Sequence, residues 1–135
     1  MSVAGTVAKH QYDFNRSIDG GETVVAGRDV DTAPRQIRNA RLAWRPVDQA
    51  SLELQWQHVG RYWADAGNAR LYTGHDVLDL RSSWRFSPAW KVAARLDNVT
   101  DKAYADRADY AFGTYRYFPG RPRTLFLEVA YAQPR

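Results

Sequence analysis

The sequence predicts an all-β fold, an antiparallel up-and-down meander of about six strands that forms part of a larger transmembrane β-barrel. Apolar and polar residues alternate with a period of two in six stretches of the chain, as in strands with one apolar and one polar face. The polar positions carry arginines and carboxylates, and aromatic residues gather near the ends of the stretches. The connections alternate between long and short, which is typical of membrane barrels.

The first two predicted strands flank a long connection. Strand one is expected at residues 3–14 and strand two at 35–45, where Leu42 and Trp44 share the face opposite Arg41. Residues 15–34 are rich in Gly, Asp and Thr and predict a long loop. A short turn at 46–49 follows strand two.

Strands three and four show the clearest alternation. Strand three is predicted at 50–63, with Leu54 opposite Glu53, and strand four at 75–86, with Leu80 opposite Arg81. Residues 64–74 between them are predicted to form a loop.

The last two strands are predicted at 90–99 and 122–131. A tight turn at 87–89 precedes strand five, and its proline is placed where no ladder hydrogen bond is needed. Residues 100–121 are predicted to form a long aromatic loop.

Aromatic and charged residues suggest what each face contacts. Rings beside the short turns and the chain end would form one interfacial belt in a bilayer; they are Trp44, Trp84, Phe86, Trp90 and Tyr131. Three further rings, Tyr62, Trp63 and Tyr72, fall at the opposite end. The alternative is a soluble β-domain with these aromatics in its core.

The charged positions all fall on the other face: Arg41, Glu53, Arg61, Asp79, Arg81, Arg95, Asp97 and Glu128. A water-filled lumen could hold them through cross-strand arginine–carboxylate pairs. The alternative is the solvated face of a one-sided sheet.

Composition excludes several classes of protein. The net charge is +4, but the arginines are dispersed without a dense basic run, so no nucleic-acid partner is predicted. The absence of cysteine excludes a disulfide scaffold and a cysteine metal site. No signal-peptide pattern opens the sequence, which predicts a fragment whose exported portion lies elsewhere.

No catalytic pattern is present. The sequence contains no phosphate loop, H-E-x-x-H or G-x-S-x-G motif. His10, His58 and His75 fall on separate strands or their ends, so no metal site is predicted. Asp76 and Asp79 fall on opposite faces and do not form a catalytic pair. We therefore predict no enzyme activity, no catalytic residue and no cofactor.

Two motifs flank the aromatic loop. Asn98, Asp101 and Tyr104 form an N-x-x-D-x-x-Y segment at the end of strand five. A Y-x-P-G-x-P-R-T segment enters strand six through Tyr117, Pro119, Gly120, Pro122, Arg123 and Thr124. The side chains of Asn98 and Asp101 can bond local backbone, and the prolines fix a turn, so a structural role is expected.

Through these motifs the chain resembles the C-terminal barrel end of TonB-dependent outer-membrane receptors, over residues 34–131. The resemblance implies a plugged barrel of about 22 strands in a Gram-negative outer membrane. Residues 1–135 would be its C-terminal barrel segment, without the plug and the remaining strands. The implied function is the wall of a receptor or transporter for an iron chelate, haem or similar nutrient.

The same resemblance implies a set of partners. These are outer-membrane lipid, the rest of the barrel and the plug, TonB through the absent N-terminal part, and the barrel-assembly machinery. That machinery reads a terminal aromatic residue in the family, whereas this chain continues beyond Tyr131.

Ligand contacts are expected in the 100–121 loop, with Arg107, Tyr110, Tyr115 and Arg116 as the candidates. Rings and guanidinium groups suit a planar, anionic chelate. The alternative is that the rings only pack the loop on its neighbours. A soluble β-rich module that binds a small ligand is the second function to consider, and an enzyme the third.

Overall fold

The computed structural model describes residues 1–18 and 22–133, in which the regular structure consists of strands. In chain order they are β1 (Ser2–Val7), β2 (Arg16–Ile18), β3 (Glu22–Val24), β4 (Gln36–Val47), β5 (Ala50–Val59), β6 (Tyr62–Trp63), β7 (Leu71–Tyr72), β8 (His75–Trp84), β9 (Trp90–Asp97), β10 (Ala105–Ala111), β11 (Thr114–Pro119) and β12 (Thr124–Tyr131). Within the described ranges, no helix is long and apolar enough to cross a membrane.

The predicted meander is confirmed. Six strands form one sheet in the order β1-β4-β5-β8-β9-β12, with antiparallel pairing throughout. The sheet does not close on itself, and β1 and β12 are its edges. Each strand of the sheet corresponds to one of the six stretches of alternating residues.

The register of the sheet aligns one leucine from each of five strands. These are Leu42, Leu54, Leu80, Leu96 and Leu125, each directly opposite the next. Since side chains alternate between faces, the leucine row places the tryptophans on the same face and the charged residues on the other. Leu125 is 59% exposed and Leu127 is 70% exposed, so this apolar face is uncovered in the chain.

The three long connections contain strands that the sequence prediction missed. Residues 15–34 contain the β2–β3 hairpin, β7 lies in the predicted 64–74 loop, and 100–121 contain the β10–β11 hairpin. Their composition predicts loops, but a short antiparallel ladder satisfies backbone groups that would otherwise need other partners.

Strand three was predicted to continue to residue 63, but β5 ends at Val59. The Gly60 amide donates to the Gln36 carbonyl at 2.8 Å, and a Cβ at Gly60 would lie 3.1 Å from that oxygen. Gly74 has a φ of +84° and lies against Val59, so the chain leaves and re-enters the sheet at two glycines. Tyr62 therefore starts the separate strand β6.

Strand one was also predicted too long, because β1 ends at Val7. Beyond Ala8 the chain turns into the first long connection, where Gln11 bridges Asp29 and the Tyr12 hydroxyl donates to Asp31. At the short turn, β4 continues through Pro46 to Val47 by means of a bulge after Trp44. The other three strand ends lie within two residues of the prediction.

The buried hydrophobic cluster lies among the long connections and not on a face of the sheet. Tyr62, Tyr72, Ala105 and Ala108 form it, and Val59 packs against it. Tyr62 and Tyr72 lie at the end opposite the short turns, as the sequence predicted, and they are buried there within this cluster. Both rings are 7% exposed because the β10–β11 hairpin covers them.

Candidate functional site

The polar face of the sheet carries the cross-strand ion pairs that the sequence predicted. Glu53 on β5 lies between two arginines, 3.6 Å from Arg41 Nε on β4 and 3.9 Å from Arg81 Nη1 on β8. A further pair lies within one strand, where Arg95 Nε is 3.1 Å from Asp97 Oδ1 on β9. The arginines are roughly half exposed, so these pairs contribute little stability and mainly balance charge along a wet surface.

The aromatic group beside the short turns is placed as predicted. Its five rings lie at one end of the apolar face and all are exposed, from Trp90 at 42% to Trp44 at 60%. Trp90 and Tyr131 lie 4.8 Å apart between ring centroids, and Trp84 and Phe86 lie 5.8 Å apart. This end of the apolar face therefore presents a group of exposed rings, two pairs of which are in contact.

The two motifs of the second half meet in space. Asn98 is 1% exposed, and its side-chain amide donates to the carbonyls of Lys102 at 2.9 Å and Arg121 at 3.0 Å. Its Oδ1 accepts from the Lys102 amide at 2.9 Å. Asp101 in turn accepts from the Arg123 amide at 3.2 Å. The structural role expected for Asn98 and Asp101 is confirmed, and it ties strand β9 to the entry of β12.

Tyr104 and Gly120 complete this junction. Gly120 donates its amide to the Tyr104 carbonyl at 2.9 Å, and the Tyr104 hydroxyl accepts from the Arg121 amide at 3.2 Å. A Cβ at Gly120 would lie 2.2 Å from the Tyr104 ring. The glycine is therefore needed for close packing against that ring, a reason that the sequence prediction did not include.

Asp109 holds both arginines of the predicted ligand site. Arg107 Nη2 lies 2.6 Å from Asp109 Oδ2, and Arg116 donates to the same carboxylate from Nε at 2.7 Å and from Nη2 at 3.0 Å. Asp109 is 3% exposed, whereas the Arg107 side chain is 62% exposed. The sequence prediction missed Asp109, although a two-residue turn at Phe112 and Gly113 places residue 109 opposite 116.

The two candidate tyrosines also lie in this hairpin. Tyr110 and Tyr115 are a cross-strand pair. The Arg70 guanidinium lies 3.7 Å from the centre of the Tyr110 ring, while Tyr115 is 41% exposed. Phe112, at the hairpin tip, is 93% exposed and has a φ of 54°. The hairpin thus carries all four candidate residues, but it places the two arginines on one face and the two tyrosines on the other.

Hydrogen bonds join the three long connections into one block. Asn68 in the second connection donates to the Asp29 carbonyl and accepts from the Asp29 amide in the first, each at 2.9 Å. On its other side, the second connection binds the third. The Ala108 amide donates to the Tyr62 hydroxyl at 2.8 Å, and the Tyr110 amide donates to the Ala64 carbonyl at 2.7 Å.

Tyrosine hydroxyls in this block are held in the neutral form. Burial raises the pKa of Tyr62, Tyr72 and Tyr104 above the ordinary value. Burial, together with the hydrogen bond to Asp31, raises the pKa of Tyr12 to about 12. Each hydroxyl therefore retains its proton over the physiological range and serves as a hydrogen-bonding group.

The histidines do not converge. His75 Nδ1 lies 2.9 Å from the Tyr72 hydroxyl, whereas His58 Nδ1 lies 2.9 Å from Asp76 on the apolar face. His10 lies in the first connection. Among residues 1–18 and 22–133, no group of three or more potential ligands is placed to hold a metal ion.

Comparison by sequence gives no match, either to a protein-family model or to a curated protein. Solved structures do match the fold. The siderophore receptor PiuA from Acinetobacter baumannii aligns with a TM-score of 0.72 at 14% identity, over 85% of this chain and 16% of that one. The closed form of the ferric-catecholate import receptor Fiu from E. coli K12 aligns at 0.66 and 20% identity, over 83% and 16%.

The chain has the fold of a TonB-dependent receptor barrel wall. The copper transporter OprC also matches, with a TM-score of 0.55 and 21% identity over 77% of this chain and 18% of that chain. The predicted resemblance to TonB-dependent receptors is thereby confirmed for the fold. The chain spans less than one fifth of the length of these three structures.

Proposed function

We propose that this chain is the C-terminal wall segment of a TonB-dependent receptor in a Gram-negative outer membrane, which imports an iron chelate, haem or a similar nutrient. One observation carries the proposal. A single sheet presents an uncovered apolar face with a group of exposed rings at one end, and the opposite face carries paired charges. Lipid on one side and a water-filled lumen on the other satisfy both faces.

The dimensions of the apolar face support a bilayer. From Asp76 to Trp84, strand β8 extends about 26 Å, which becomes about 20 Å across a membrane at a tilt near 40°. Asp76 binds His58 at 2.9 Å and Trp56 Nε1 at 3.0 Å on this same face, and these polar groups mark its other limit. The height between the two limits is close to the ~25 Å apolar band of membrane barrels.

The open edges and the polar face define the partners of the segment. Strands β1 and β12 would each pair with a further strand of the same barrel, which closes the wall. The paired charges would face the plug. TonB would act through the N-terminal part of the receptor, and the barrel-assembly machinery would insert the complete receptor into outer-membrane lipid.

Ligand contacts are proposed for the β10–β11 hairpin. Arg107 and Arg116 share one carboxylate, so the trio retains a single net positive charge. Tyr110 and Tyr115 present their rings on the opposite face of the hairpin. The Phe118 ring lies beside the trio, with its centre 5.9 Å from the Arg107 guanidinium and 5.8 Å from that of Arg116. Such a surface suits a planar anion through stacking and charge.

The receptor that contains this segment tests the function through uptake. Cells that rely on it for iron should take up a labelled ferric chelate. The double change Arg107→Ala with Arg116→Ala should raise the chelate concentration needed for half-maximal uptake about tenfold, because a few exposed charge contacts are lost. Arg16→Ala with Lys102→Ala removes two exposed cations elsewhere in the long connections and is the matched control. Equal uptake by both variants would remove the hairpin from the ligand site.

Location is tested separately from ligand binding. The receptor should fractionate with the outer membrane, and the purified chain should require detergent because its leucine row is exposed. A clean monomer in plain buffer would contradict the membrane assignment and favour a soluble binding module.

A further inference from the structure

A group of cations lies on the polar face at the end of the sheet that carries the short turns. It surrounds a depression of about 290 Å³ between two neighbouring turns. We name this group the basic mouth; its residues are Arg45, Arg85 and Lys91, with Ser51 and Ser83 at the base of the depression and Asp48 and Gln49 at the turn. The three cations come from three different strand ends, and the sheet brings them together.

Charge in the basic mouth is unbalanced, unlike the rest of the polar face. Farther along the sheet, Arg41 and Arg81 lie within 4 Å of Glu53, and Arg95 lies 3.1 Å from Asp97. Within the described residues, no carboxylate lies within 4 Å of the charged groups of the mouth's three cations. Two acids lie farther along the same face. Glu128 is opposite Ala93, two positions along β9 from Lys91, and Glu53 is opposite Ala43, two positions along β4 from Arg45. Among the described residues, Asp48 is the one carboxylate that lines the depression.

The depression also offers hydrogen-bond donors. The hydroxyls of Ser51 and Ser83 lie 2.9 Å apart across the β5–β8 pair, so one of them donates to the other and one proton is available to an incoming acceptor. The turn is held in place by the Arg85 amide, which donates to the Gln49 carbonyl at 2.8 Å. Cations around paired hydroxyls are suited to carboxylates, since charge-assisted hydrogen bonds are the stronger ones.

The position of the mouth on the polar face favours a peptide over a lipid headgroup as its ligand. Lipid would contact the apolar face, where Trp44 and Trp84 lie beside the same turns. The mouth opens on the opposite face, which the proposed function assigns to the lumen. Membrane barrels have short turns on the periplasmic side and longer loops outside, so the proposed function places the mouth at the periplasmic end. An anion that reaches it must therefore come from inside the barrel or from the periplasmic space below it.

We propose that the basic mouth binds an acidic stretch of polypeptide at the periplasmic end of the lumen. The inference depends on the proposed function for its location, and on the charge and geometry of the chain for its ligand. Three cations against one carboxylate leave a charge of +2, which two acidic side chains of a peptide would neutralise.

The binding experiment uses the full chain in detergent micelles and a fluorescent peptide of alternating Glu and Gly. Anisotropy should show binding that weakens as salt is added. The triple change Arg45→Gln, Arg85→Gln and Lys91→Gln should reduce affinity about tenfold or more, since each exposed pair contributes modestly. The matched control, Lys9→Gln, Arg16→Gln and Lys102→Gln, removes the same charge from the long connections and should bind like the unaltered chain.

Three outcomes would overturn the ligand assignment. They are equal loss of affinity in both triple variants, equal binding of a peptide with Gln in place of Glu, and displacement of the acidic peptide by phosphatidylglycerol added to the micelles. The three single variants, Arg45→Gln, Arg85→Gln and Lys91→Gln, should each weaken binding by a smaller factor than the triple change.

Location is tested in cells by Asp48→Cys in the complete receptor. A membrane-impermeant maleimide should label this cysteine only after the outer membrane is permeabilised, which supports the periplasmic position. Labelling in untreated cells would overturn that position and the proposed orientation together. The peptide titration is independent of orientation, so the two failures are distinguishable.

Discussion

Replacing Asn98 by alanine should open the junction between β9 and β12. The change removes two donated hydrogen bonds and one accepted bond from a side chain that is 1% exposed. At about 1 kcal/mol for each bond, the loss is roughly 3 kcal/mol. Alanine must also adopt the φ of 50° that asparagine tolerates, which adds about 1 kcal/mol.

Hydrogen exchange measures this effect locally. Amides of the peptides that cover 98–104 and 119–124 should exchange nearly three orders of magnitude faster in Asn98→Ala, because the two losses together come to about 4 kcal/mol and ~1.4 kcal/mol corresponds to a factor of ten. Asn39→Ala, at an exposed position of β4, should change exchange little and is the matched control.

Asn98→Gly identifies which effect dominates. Glycine loses the same three bonds but adopts a left-handed φ freely, so it should remain within about 1 kcal/mol of the alanine variant. Exchange close to that of the unaltered chain in Asn98→Gly would show that backbone conformation, and not hydrogen bonding, explains this asparagine. The account of the junction given above would then be refuted.

Three further changes test the packing, the faces and the ionisation. Gly120→Ala should destabilise the junction by about 1–3 kcal/mol in urea unfolding, because its Cβ would meet the Tyr104 ring at 2.2 Å, while Gly5→Ala, with 3.4 Å to its nearest neighbour, should not. Leu80→Arg should impair membrane insertion of the receptor by about 2–4 kcal/mol, and Gln55→Arg on the polar face should be mild; equal effects would contradict the face assignment. The raised pKa of Tyr12, about 12, implies that its stabilising contribution is complete below pH ~10 and is lost as the pH rises toward 12. The free energy of unfolding of Tyr12→Phe should therefore fall less steeply between about pH 10 and 12 than that of the unaltered chain. An identical pH profile for both would show that Tyr12 makes no such contribution.

The sheet was predictable because period-two alternation is a property of neighbouring residues. Leu54 and Leu80 fall on one face and Glu53 on the other whatever the strands pair with, so the faces and the meander follow from the sequence. Strand ends were less predictable. The ladder ends where Gly60 approaches Gln36 and where Gly74 approaches Val59. Both partners are far along the chain from the glycine, so local sequence does not reveal these ends.

The long connections were not predictable in the same way. A tyrosine suits both a membrane interface and a small core, and Tyr62 is buried because Ala108, 46 residues later, donates to its hydroxyl. The four candidate ligand residues lie on a hairpin where the sequence predicted a loop, and the ion pairs of the two arginines depend on Asp109 and on the turn at Phe112. Short ladders of two or three residues leave too weak a periodic signal to separate them from loops.

The leucine row has a consequence for how the wall finds its alignment during assembly. Shifting one strand by two residues would keep every apolar side chain on the membrane side. Contact with lipid therefore does little to favour the correct alignment over the shifted one. The same shift would move Glu53 away from Arg41 and Arg81, which lie across from it on both sides. The apolar face therefore determines which side of each strand turns toward the membrane. The charges on the inner face then distinguish between alignments that differ by two residues. A wall built in this way can tolerate many exchanges among apolar residues toward the membrane, while a single reversed charge inside would favour a misaligned strand.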